Sequence, residues 1–353
     1  MTKLAKLRFD FQDNNIDALL VTSPINRRYI TNFTGTAGAV LITSTEAILI
    51  TDFRYTEQAK KQAGDFTIVE HAGPIEDEIA KQIKRIHIEK LGFEEDHLTY
   101  ADFKRYEKSF AAELVAVKEM IESLRLIKTE EEITTLKKAA EIADKAFEHI
   151  LSYIKPGVLE IDVANELEFY MRKKGATSSS FDIIVASGFR SALPHGIASN
   201  KVIEQGELVT MDYGALYNGY CSDITRTVAV GEISEELTTI YETVLEAQKR
   251  GVEGIKPNMT GKEADDLTRD YINEQGFGSY FGHSTGHGIG LEVHEGPGLS
   301  PRSSTILQKN MVVTVEPGIY IPNVGGCRIE DDVVITDTGN ERLTTSTKDL
   351  IHL

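Results

Sequence analysis

The sequence is short of cationic residues and of cysteine, and each shortage excludes a class of protein. It has 38 Lys and Arg against 55 Asp and Glu, and its net charge of −17 argues against nucleic acid or an anionic membrane surface as the main partner. The two cysteines, Cys221 and Cys327, lie far apart in the sequence. They provide no disulfide framework and fit a reducing compartment.

Long apolar runs are also absent. No stretch approaches the ~18–20 apolar residues that a membrane helix needs, and the opening M-T-K-L-A-K-L-R-F-D-F is charged, without the apolar region of a signal peptide. We therefore expect a cytoplasmic protein. What is present is an ordinary globular composition, with 41% hydrophobic and 26% charged residues in a chain of 353 residues, which is long enough for two domains.

A change of pattern along the chain predicts two domains. In the first third, short β-rich runs alternate with amphipathic helices, from D-A-L-L-V-T-S (17–23) to a charged helix at 101–110, which is typical of a small α/β domain. Thr129 followed by Glu132 forms a capping box for a long helix, predicted to continue to about Tyr153. We place the boundary within 122–128 and divide the chain into domains 1–125 and 126–353.

The second part contains an internal sequence repeat. I-K-P-G-V-L-E-I-D-V-A-N-E-L-E-F-Y-M-R-K-K-G (154–175) aligns without gaps with I-K-P-N-M-T-G-K-E-A-D-D-L-T-R-D-Y-I-N-E-Q-G (255–276), an offset of 101 residues. Each copy follows a long predicted helix (129–153 and 234–253) and precedes β-rich sequence. Two copies are too few for a solenoid. A duplicated half-domain with pseudo-two-fold symmetry explains the repeat, and chance similarity between two helix-turn-helix segments is the alternative.

Acidic residues inside apolar strands are the main anomaly. Residues 207–231 predict a β-hairpin around a turn at Asn218-Gly219, and 311–321 and 327–336 predict further strands. These segments contain Asp212, Asp223, Glu316 and Glu330. A buried carboxylate is costly unless it is paired or binds a metal. Arg226 and Arg328 could form a structural salt-bridge network, but two arginines cannot neutralise four carboxylates, whereas a metal centre can.

A glycine-rich stretch supplies imidazoles. Residues 281–295 (F-G-H-S-T-G-H-G-I-G-L-E-V-H-E) contain His283, His287 and His294 among four glycines. Glycine costs roughly 1 kcal/mol in a helix interior, so this stretch is not expected to be the helical zinc pair of an H-E-x-x-H motif. We predict a turn that enters a strand, with its backbone close to a ligand. A glycine-rich loop with incidental histidines is the alternative.

One imidazole and four carboxylates form a ligand set suited to two divalent ions. Such oxygen-rich ligands favour Mn²⁺, with Co²⁺, Fe²⁺ or Zn²⁺ as alternatives, and the four carboxylate charges balance two such ions. Two ions about 3.5–4 Å apart lower the pKa of a bridging water and polarise a carbonyl, as peptide hydrolysis requires. The sequence has neither a G-x-S-x-G motif nor a P-loop, and neither cysteine has a histidine near it in sequence.

Taken together, these motifs resemble a known family. D-Y-G…S-D-I-T-R-T, G-H-G-I-G-L-E-V-H-E, V-E-P-G-I-Y and R-I-E-D-D are similar to motifs of the pita-bread metallopeptidases, in the Xaa-Pro dipeptidase (prolidase) and aminopeptidase P branch. The resemblance covers residues 129–353 and extends to 29–38 and 51–59. It implies an α+β fold in which a small creatinase-like α/β domain precedes a pseudo-two-fold pita-bread catalytic domain.

The resemblance also implies a role for each site residue. The implied metal ligands are Asp212, Asp223, His287, Glu316 and Glu330, with Asp223 and Glu330 bridging the two ions. Glu316 is also the candidate for handling the proton of the attacking water. Three accessory histidines, His195, His283 and His294, are expected to bind the substrate carbonyl and stabilise the gem-diolate, and Arg328 is expected to orient carboxylates and water.

The implied activity is hydrolysis of the bond between an N-terminal residue and proline, in a small peptide with proline in second position, by a homodimer. We expect an Xaa-Pro dipeptidase, with an Xaa-Pro aminopeptidase acting on longer peptides as the alternative. Gly298 stands where some dipeptidases have an arginine for the free carboxylate, for which Arg302 could substitute. Methionine aminopeptidase, creatinase-type amidinohydrolases and a non-catalytic peptide-binding protein of this fold agree less well with the long N-terminal domain and the complete ligand set.

Overall fold

The computed structural model describes residues 2–353 and divides them into two compact units. The first unit ends at Arg125, and the second spans Leu126–Leu353. No helix within residues 2–353 is long and apolar enough to cross a membrane. Cys221 and Cys327 are buried free thiols.

The first unit is built on a six-stranded mixed sheet with the order β4-β3-β2-β1-β5-β6. Its strands are β1 (Ala18–Val21), β2 (Ala39–Thr43), β3 (Ala47–Thr51), β4 (Thr67–Glu70), β5 (Lys90–Glu94) and β6 (Glu113–Val117). Its helices are α1 (Lys3–Phe9), α2 (Pro24–Thr31), α3 (Thr56–Gln62), α4 (Ile75–Ile86), α5 (Tyr100–Ser109) and α6 (Met120–Arg125). The pairs β1–β5, β3–β4 and β5–β6 are parallel, and β1–β2 and β2–β3 are antiparallel. The predicted α/β architecture is confirmed.

The second unit consists of four helices and several small antiparallel sheets. The helices are α7 (Glu130–Ile150), α8 (Glu160–Lys173), α9 (Glu235–Gly254) and α10 (Gly261–Glu274). The strands are β7 (Ser178–Ser179), β8 (Ile184–Ser187), β9 (Glu207–Tyr213), β10 (Ala215–Tyr217), β11 (Tyr220–Cys221), β12 (Ile224–Val230), β13 (Gly286–Gly288), β14 (Glu295–Leu299), β15 (Val312–Val315), β16 (Gly318–Ile321), β17 (Gly325–Arg328), β18 (Asp331–Ile335) and β19 (Asn340–Arg342). Short 3-10 turns span Gly188–Ala192 and Gly278–Tyr280.

The predicted long helix and hairpin are both present. Thr129 and Glu132 form the capping box of α7, although the helix ends at Ile150 and not near Tyr153. The hairpin turns at Asn218 and Gly219, whose φ angles of 48° and 83° are those of a type I′ turn. Beyond its short tip strands β10 and β11, the hairpin continues as the antiparallel pair β9–β12.

The sequence repeat with its offset of 101 residues is matched by a repeat in the backbone structure. Helices α8 and α10 begin and end 101 residues apart. The turn before α8 is closed by a hydrogen bond from Gly157 N to Ile203 O (2.9 Å), and the turn before α10 by one from Asn258 N to Leu307 O (2.8 Å). The donors in these two bonds are again 101 residues apart, so both halves fold back onto their second helix in the same way.

Two sheets carry the candidate site, one from each half. The sheet β12-β9-β8 packs against α7 and α8 through a core that includes Phe147, Leu167 and Val209. The sheet β14-β13-β15-β18-β19 packs against α9 and α10, with Val313 and Val315 of β15 buried beside Ala264. Edges and ends of these strands then present polar side chains to a shared cavity.

Candidate metal centre

The five predicted ligands converge in the second unit, although they come from five separate segments. Asp212 lies on β9, Asp223 precedes β12, His287 lies on β13, Glu316 follows β15 and Glu330 precedes β18. Donor atoms of Asp223, His287 and Glu330 lie within 4.8 Å of one another. His287 Nε2 lies 3.2 Å from Glu316 Oε1 and 3.9 Å from Asp223 Oδ2. All five residues line one cavity of about 530 Å³.

Neighbouring side chains hold the carboxylates in place. Thr225 Oγ1 donates to Glu330 Oε2 at 2.6 Å, and Arg328 Nη2 donates to Asp212 Oδ2 at 2.5 Å. The alternating side chains of a strand place Thr225 on the same face as Asp223, two residues earlier. In addition, the backbone N–H of Asp223 donates to Asp332 Oδ2 at 3.0 Å.

The arginines do not neutralise the site. Arg328 pairs with Asp212, but Arg226 donates to Asp331 Oδ1 at 2.7 Å, and Asp331 is not one of the predicted ligands. Within residues 2–353, buried oxygens of three ligands have no hydrogen-bond donor: Asp212 Oδ1, Asp223 Oδ1 and Glu330 Oε1. A buried carboxylate oxygen without a donor is costly, and a cation is the partner that would compensate it. The residues present therefore fit a divalent metal centre.

Crowding of like charges shifts the acid–base behaviour of the ligands. Burial, followed by the neighbouring carboxylates, raises the pKa of Asp223 and of Glu330 well above the ordinary range. At His287 and Glu316 burial opposes the shift, but their mutual hydrogen bond and the attraction of neighbouring charges together outweigh it. The pKa of His287 is raised, and the pKa of Glu316 is lowered. Without cations, the centre therefore retains protons that a metal would displace.

The predicted accessory histidines line the same cavity but differ in their partners. His283 has both ring nitrogens engaged: Nε2 lies 2.8 Å from Tyr320 Oη, and Nδ1 lies 2.8 Å from Ser284 O. Within residues 2–353 the ring nitrogens of His195 and His294 make no hydrogen bond, so their ring N–H groups are available to a ligand. The His294 ring lies 4.4 Å from that of His287, edge to face.

Tyr320 is a site residue that the sequence analysis left out. Arg328 Nη1 donates to Tyr320 Oη at 2.8 Å, and the hydroxyl of Tyr320 contacts His283. Because an arginine only donates, the tyrosine oxygen accepts from it, and the tyrosine proton is directed to His283 Nε2. The available signal was its place in the V-E-P-G-I-Y motif, two residues after Gly318.

Apolar side chains form the remaining walls of the cavity. They are Phe181, Ile184, Pro194, Ile197 and Val293. Arg328 is the sole guanidinium or ammonium group among the lining residues, and it is already bonded to Asp212 and Tyr320. Arg302, which could substitute for a missing carboxylate-binding arginine, is exposed and is not among the lining residues. The cavity is therefore lined by both polar and apolar side chains.

The chain is similar in sequence and in structure to known proteins. The model of metallopeptidase family M24 matches residues 134–337, and that of the creatinase/prolidase N-terminal domain matches residues 3–127. The chain is 46% identical to an Xaa-Pro dipeptidase of Pyrococcus furiosus, over 99% of both chains. Its structure is similar to that of an Xaa-Pro dipeptidase from Bacillus anthracis (63% identity, 99% of both chains, TM-score 0.99). It is also similar to that of an X-Pro aminopeptidase from Thermotoga maritima (42% identity, 96% of this chain and 98% of the other, TM-score 0.91). The resemblance inferred from the motifs is confirmed.

Proposed function

This chain belongs to metallopeptidase family M24, and we propose that it is a dinuclear metal-dependent exopeptidase that hydrolyses the Xaa-Pro bond of dipeptides. The observation that carries the proposal is the convergence of four carboxylates and one imidazole in one cavity, with three buried carboxylate oxygens that have no donor within residues 2–353. Similarity over 99% of both chains to proteins named Xaa-Pro dipeptidase supports the substrate class.

The five ligands would hold two divalent ions, with Asp212 on one, His287 and Glu316 on the other, and Asp223 and Glu330 shared. When bound, such ions lower the pKa of a coordinated water and polarise the scissile carbonyl. Mn²⁺ suits the carboxylate-dominated donor set, and we propose it as the native metal.

The chain's own residues supply orientation and proton transfer. Glu316 accepts the proton of the attacking water, and its Oε1 is oriented by His287 at 3.2 Å and by Thr314 Oγ1 at 3.2 Å. His195 and His294 present free ring N–H groups to the substrate carbonyl and to the oxyanion that develops from it. Arg328 fixes Asp212 in place through their 2.5 Å hydrogen bond.

His283 performs a different task from the other two accessory histidines. Because Tyr320 and Ser284 engage both of its ring nitrogens, it contributes a fixed aromatic wall to the cavity and not a mobile donor. Its edge-to-face contact with Phe281 (5.1 Å between centroids) stabilises that orientation. A rigid ring at this position suits the compact pyrrolidine of proline.

An Xaa-Pro aminopeptidase is the second candidate, and one observation favours it. A dipeptide has a free carboxylate next to the scissile bond, whereas the one cationic side chain lining the cavity, Arg328, is already paired with Asp212. A longer peptide needs no cation at that position. Initial rates on Leu-Pro and on Leu-Pro-Gly-Gly decide between the two: a dipeptidase hydrolyses the first faster, and an aminopeptidase the second.

Metal removal and return test the proposal as a whole. Asp223→Asn, His287→Ala and Glu330→Gln should each abolish hydrolysis after chelation and return of Mn²⁺, with circular dichroism unchanged. Asp270→Asn, which removes an exposed carboxylate on α10, is the matched control and should keep wild-type activity. Full activity in any of the three ligand variants would refute the assignment of the centre.

We also propose the setting in which the enzyme works. We assign residues 126–353 as the catalytic domain and place all five proposed metal ligands there, with residues 1–125 as a separate N-terminal domain. The free, buried thiols of Cys221 and Cys327 fit a reducing cytoplasm, and we propose a homodimer. Sedimentation velocity on the full chain tests the oligomeric state, because a monomer at micromolar concentration would contradict it.

A further inference from the structure

Each half of the second unit contains a buried carboxylate that restrains a loop of the cavity wall by hydrogen bonds. In the first half this is Glu160, the first residue of α8, whose side chain is fully buried. Its Oε1 accepts from Ser187 N (2.8 Å) and Ser187 Oγ (2.9 Å), and its Oε2 accepts from Ser199 N (3.2 Å) and Ser199 Oγ (2.7 Å). One carboxylate thus joins the two ends of segment 187–199.

An arginine completes this arrangement, which we name the Glu160 clamp (Glu160, Arg190, Ser187 and Ser199). Arg190 Nη1 donates to Glu160 Oε2, and its Nη2 donates to Ile197 O at 2.9 Å. Between these anchor points the segment carries His195, which lines the cavity. The clamp therefore restrains the backbone on both sides of His195 while its imidazole remains free of hydrogen bonds within residues 2–353.

The second half has a matching arrangement, the Asp265 clamp (Asp265, Arg269 and Thr285). Asp265 on α10 is fully buried and accepts from Arg269 Nε (2.6 Å), Arg269 Nη2 (2.8 Å) and Thr285 N (2.9 Å). Arg269 Nη2 also donates to His283 O at 2.7 Å, and its Nη1 donates to Phe281 O at 3.2 Å. The backbone that carries His283 is thus held by a guanidinium fixed on a buried carboxylate.

The internal duplication relates the two clamps. At the 101-residue offset, Glu160 corresponds to Gly261, where an added Cβ would lie 2.2 Å from Gly298 O and 2.3 Å from Ser303 Oγ. No side chain fits there, so a carboxylate could not remain at this position. Asp265 lies four residues later, one turn along the same face of the helix. Both halves therefore keep one buried carboxylate on the second helix, directed at the loop with an accessory histidine.

We propose that the two clamps are paired positioning devices: Glu160 and Arg190 set the position of His195, and Asp265 and Arg269 set that of His283. The inference rests on the proposed peptidase function, because it assigns the clamps to histidines that contact the substrate. An ion pair with a fully buried carboxylate is weak support for stability, but it fixes a loop in one geometry. Displacing a substrate-contacting group by about 1 Å costs on the order of 100-fold in rate.

Double-mutant cycles test this pairing on the full-length, Mn²⁺-loaded chain with an Xaa-Pro dipeptide. Glu160→Gln and Asp265→Asn should each lower kcat/KM by about 10- to 100-fold. In the His195→Ala background Glu160→Gln should have little further effect, whereas Asp265→Asn should keep its full effect. In the His283→Ala background the two outcomes should be reversed. Additive effects in the matched pairs would overturn the proposal.

A second set of variants keeps the test informative if the buried carboxylates are needed for folding. Arg190→Met and Arg269→Met each remove the partly exposed arginine of a clamp and leave the carboxylate its serine or threonine donors. The effect of Arg190→Met on kcat/KM should disappear in the His195→Ala background, and that of Arg269→Met in the His283→Ala background. Asp144→Asn is the matched control. Asp144 is a buried carboxylate that accepts hydrogen bonds from residues 345–346, outside the cavity lining. The effect of Asp144→Asn on kcat/KM should be additive with the effects of both histidine variants.

Hydrogen exchange on the metal-free protein supplies a readout that does not depend on activity. Glu160→Gln should speed exchange of the Ser187 and Ser199 amides by about tenfold or more and leave the Thr285 amide unchanged, and Asp265→Asn should do the reverse. Unchanged exchange in both variants would refute the clamps. If the wild-type protein hydrolysed no Xaa-Pro peptide while the exchange pattern appeared as expected, the proposed function would fail and the clamps would stand as loop restraints only.

Discussion

Loading the metal-free protein with Mn²⁺ at pH 7 should release protons, with Asp223, Glu330 and His287 as their sources. Burial and the surrounding carboxylates raise the pKa of Asp223 and Glu330 well above the ordinary range, which favours the protonated form of both carboxyl groups when no metal is bound. A carboxyl that carries a proton must lose it to bind a cation. Burial lowers the pKa of His287, but the hydrogen bond and charge of Glu316, with smaller contributions from Gly288 and Asp332, together raise it, so His287 is a further source.

Isothermal titration calorimetry measures the number of released protons directly. Binding enthalpies recorded at pH 7 in buffers of different ionisation enthalpy give a line whose slope is the number of protons transferred to the buffer. His195→Ala is the matched control: it removes an imidazole from the same cavity that is not a proposed ligand, so it should leave the slope unchanged. His287→Ala should reduce the slope by up to about one.

The result that would refute the reasoning is a slope near zero for the wild-type protein. It would mean that Asp223 and Glu330 are already ionised without metal, and that some other group neutralises them. The structure offers no free guanidinium or ammonium group for this among the residues lining the cavity, because Arg328 is bonded to Asp212 and Tyr320.

Three further predictions follow from the same centre. The free energy of unfolding of the chelated protein should fall as pH rises from about 5 to 8. Each carboxyl that is protonated only in the folded state contributes about 1.4 kcal/mol per pH unit to this fall. Asp332 is one of them, because burial raises its pKa to about 8. Urea unfolding at several pH values measures the slope, which should flatten with Mn²⁺. Gly288→Ala should destabilise the protein by about 2–4 kcal/mol because its Cβ would lie 1.9 Å from a backbone oxygen of β14, whereas Gly282→Ala, with nothing within 4 Å, should be neutral in the same unfolding assay. Thr225→Val removes the 2.6 Å hydrogen bond to Glu330 and should weaken Mn²⁺ binding by about 10- to 100-fold in calorimetry, and unchanged affinity would show that the hydroxyl does not orient this ligand.

The candidate ligands could be predicted from the sequence because a carboxylate within an apolar strand is conspicuous. Asp212 and Glu330 stood out for that reason, and the turn at Asn218-Gly219 fixed which strands form the hairpin. Local rules suffice in such cases, since alternation and turn chemistry depend on residues close in sequence. Helix α7 shows their limit: its capping box was predicted correctly, but its end at Ile150 is three residues before the predicted one.

Contacts between distant segments could not be predicted in this way. Glu160 meets Arg190 and Ser199 across 30 and 39 residues, and no pattern in the sequence joins them. The glycines of 281–295 illustrate the same point. They were expected to let the backbone approach a ligand, but the structure assigns Gly286 a packing role, because an added Cβ would lie 2.0 Å from Thr314 O on the adjacent strand.

The duplication explains why metal binding and folding of the second unit must be coupled. The first half contributes Asp212 and Asp223, and the second contributes His287, Glu316 and Glu330, so neither half alone holds the complete donor set. Within residues 2–353 the carboxylate oxygens left without donors belong to both halves. Cations that bind between them therefore stabilise only the state in which the halves are packed together, and their binding free energy adds to the folding free energy of the whole unit. Because a chelated protein loses that term and still buries the same carboxyl groups without a cation, chelation should destabilise the second unit as a whole.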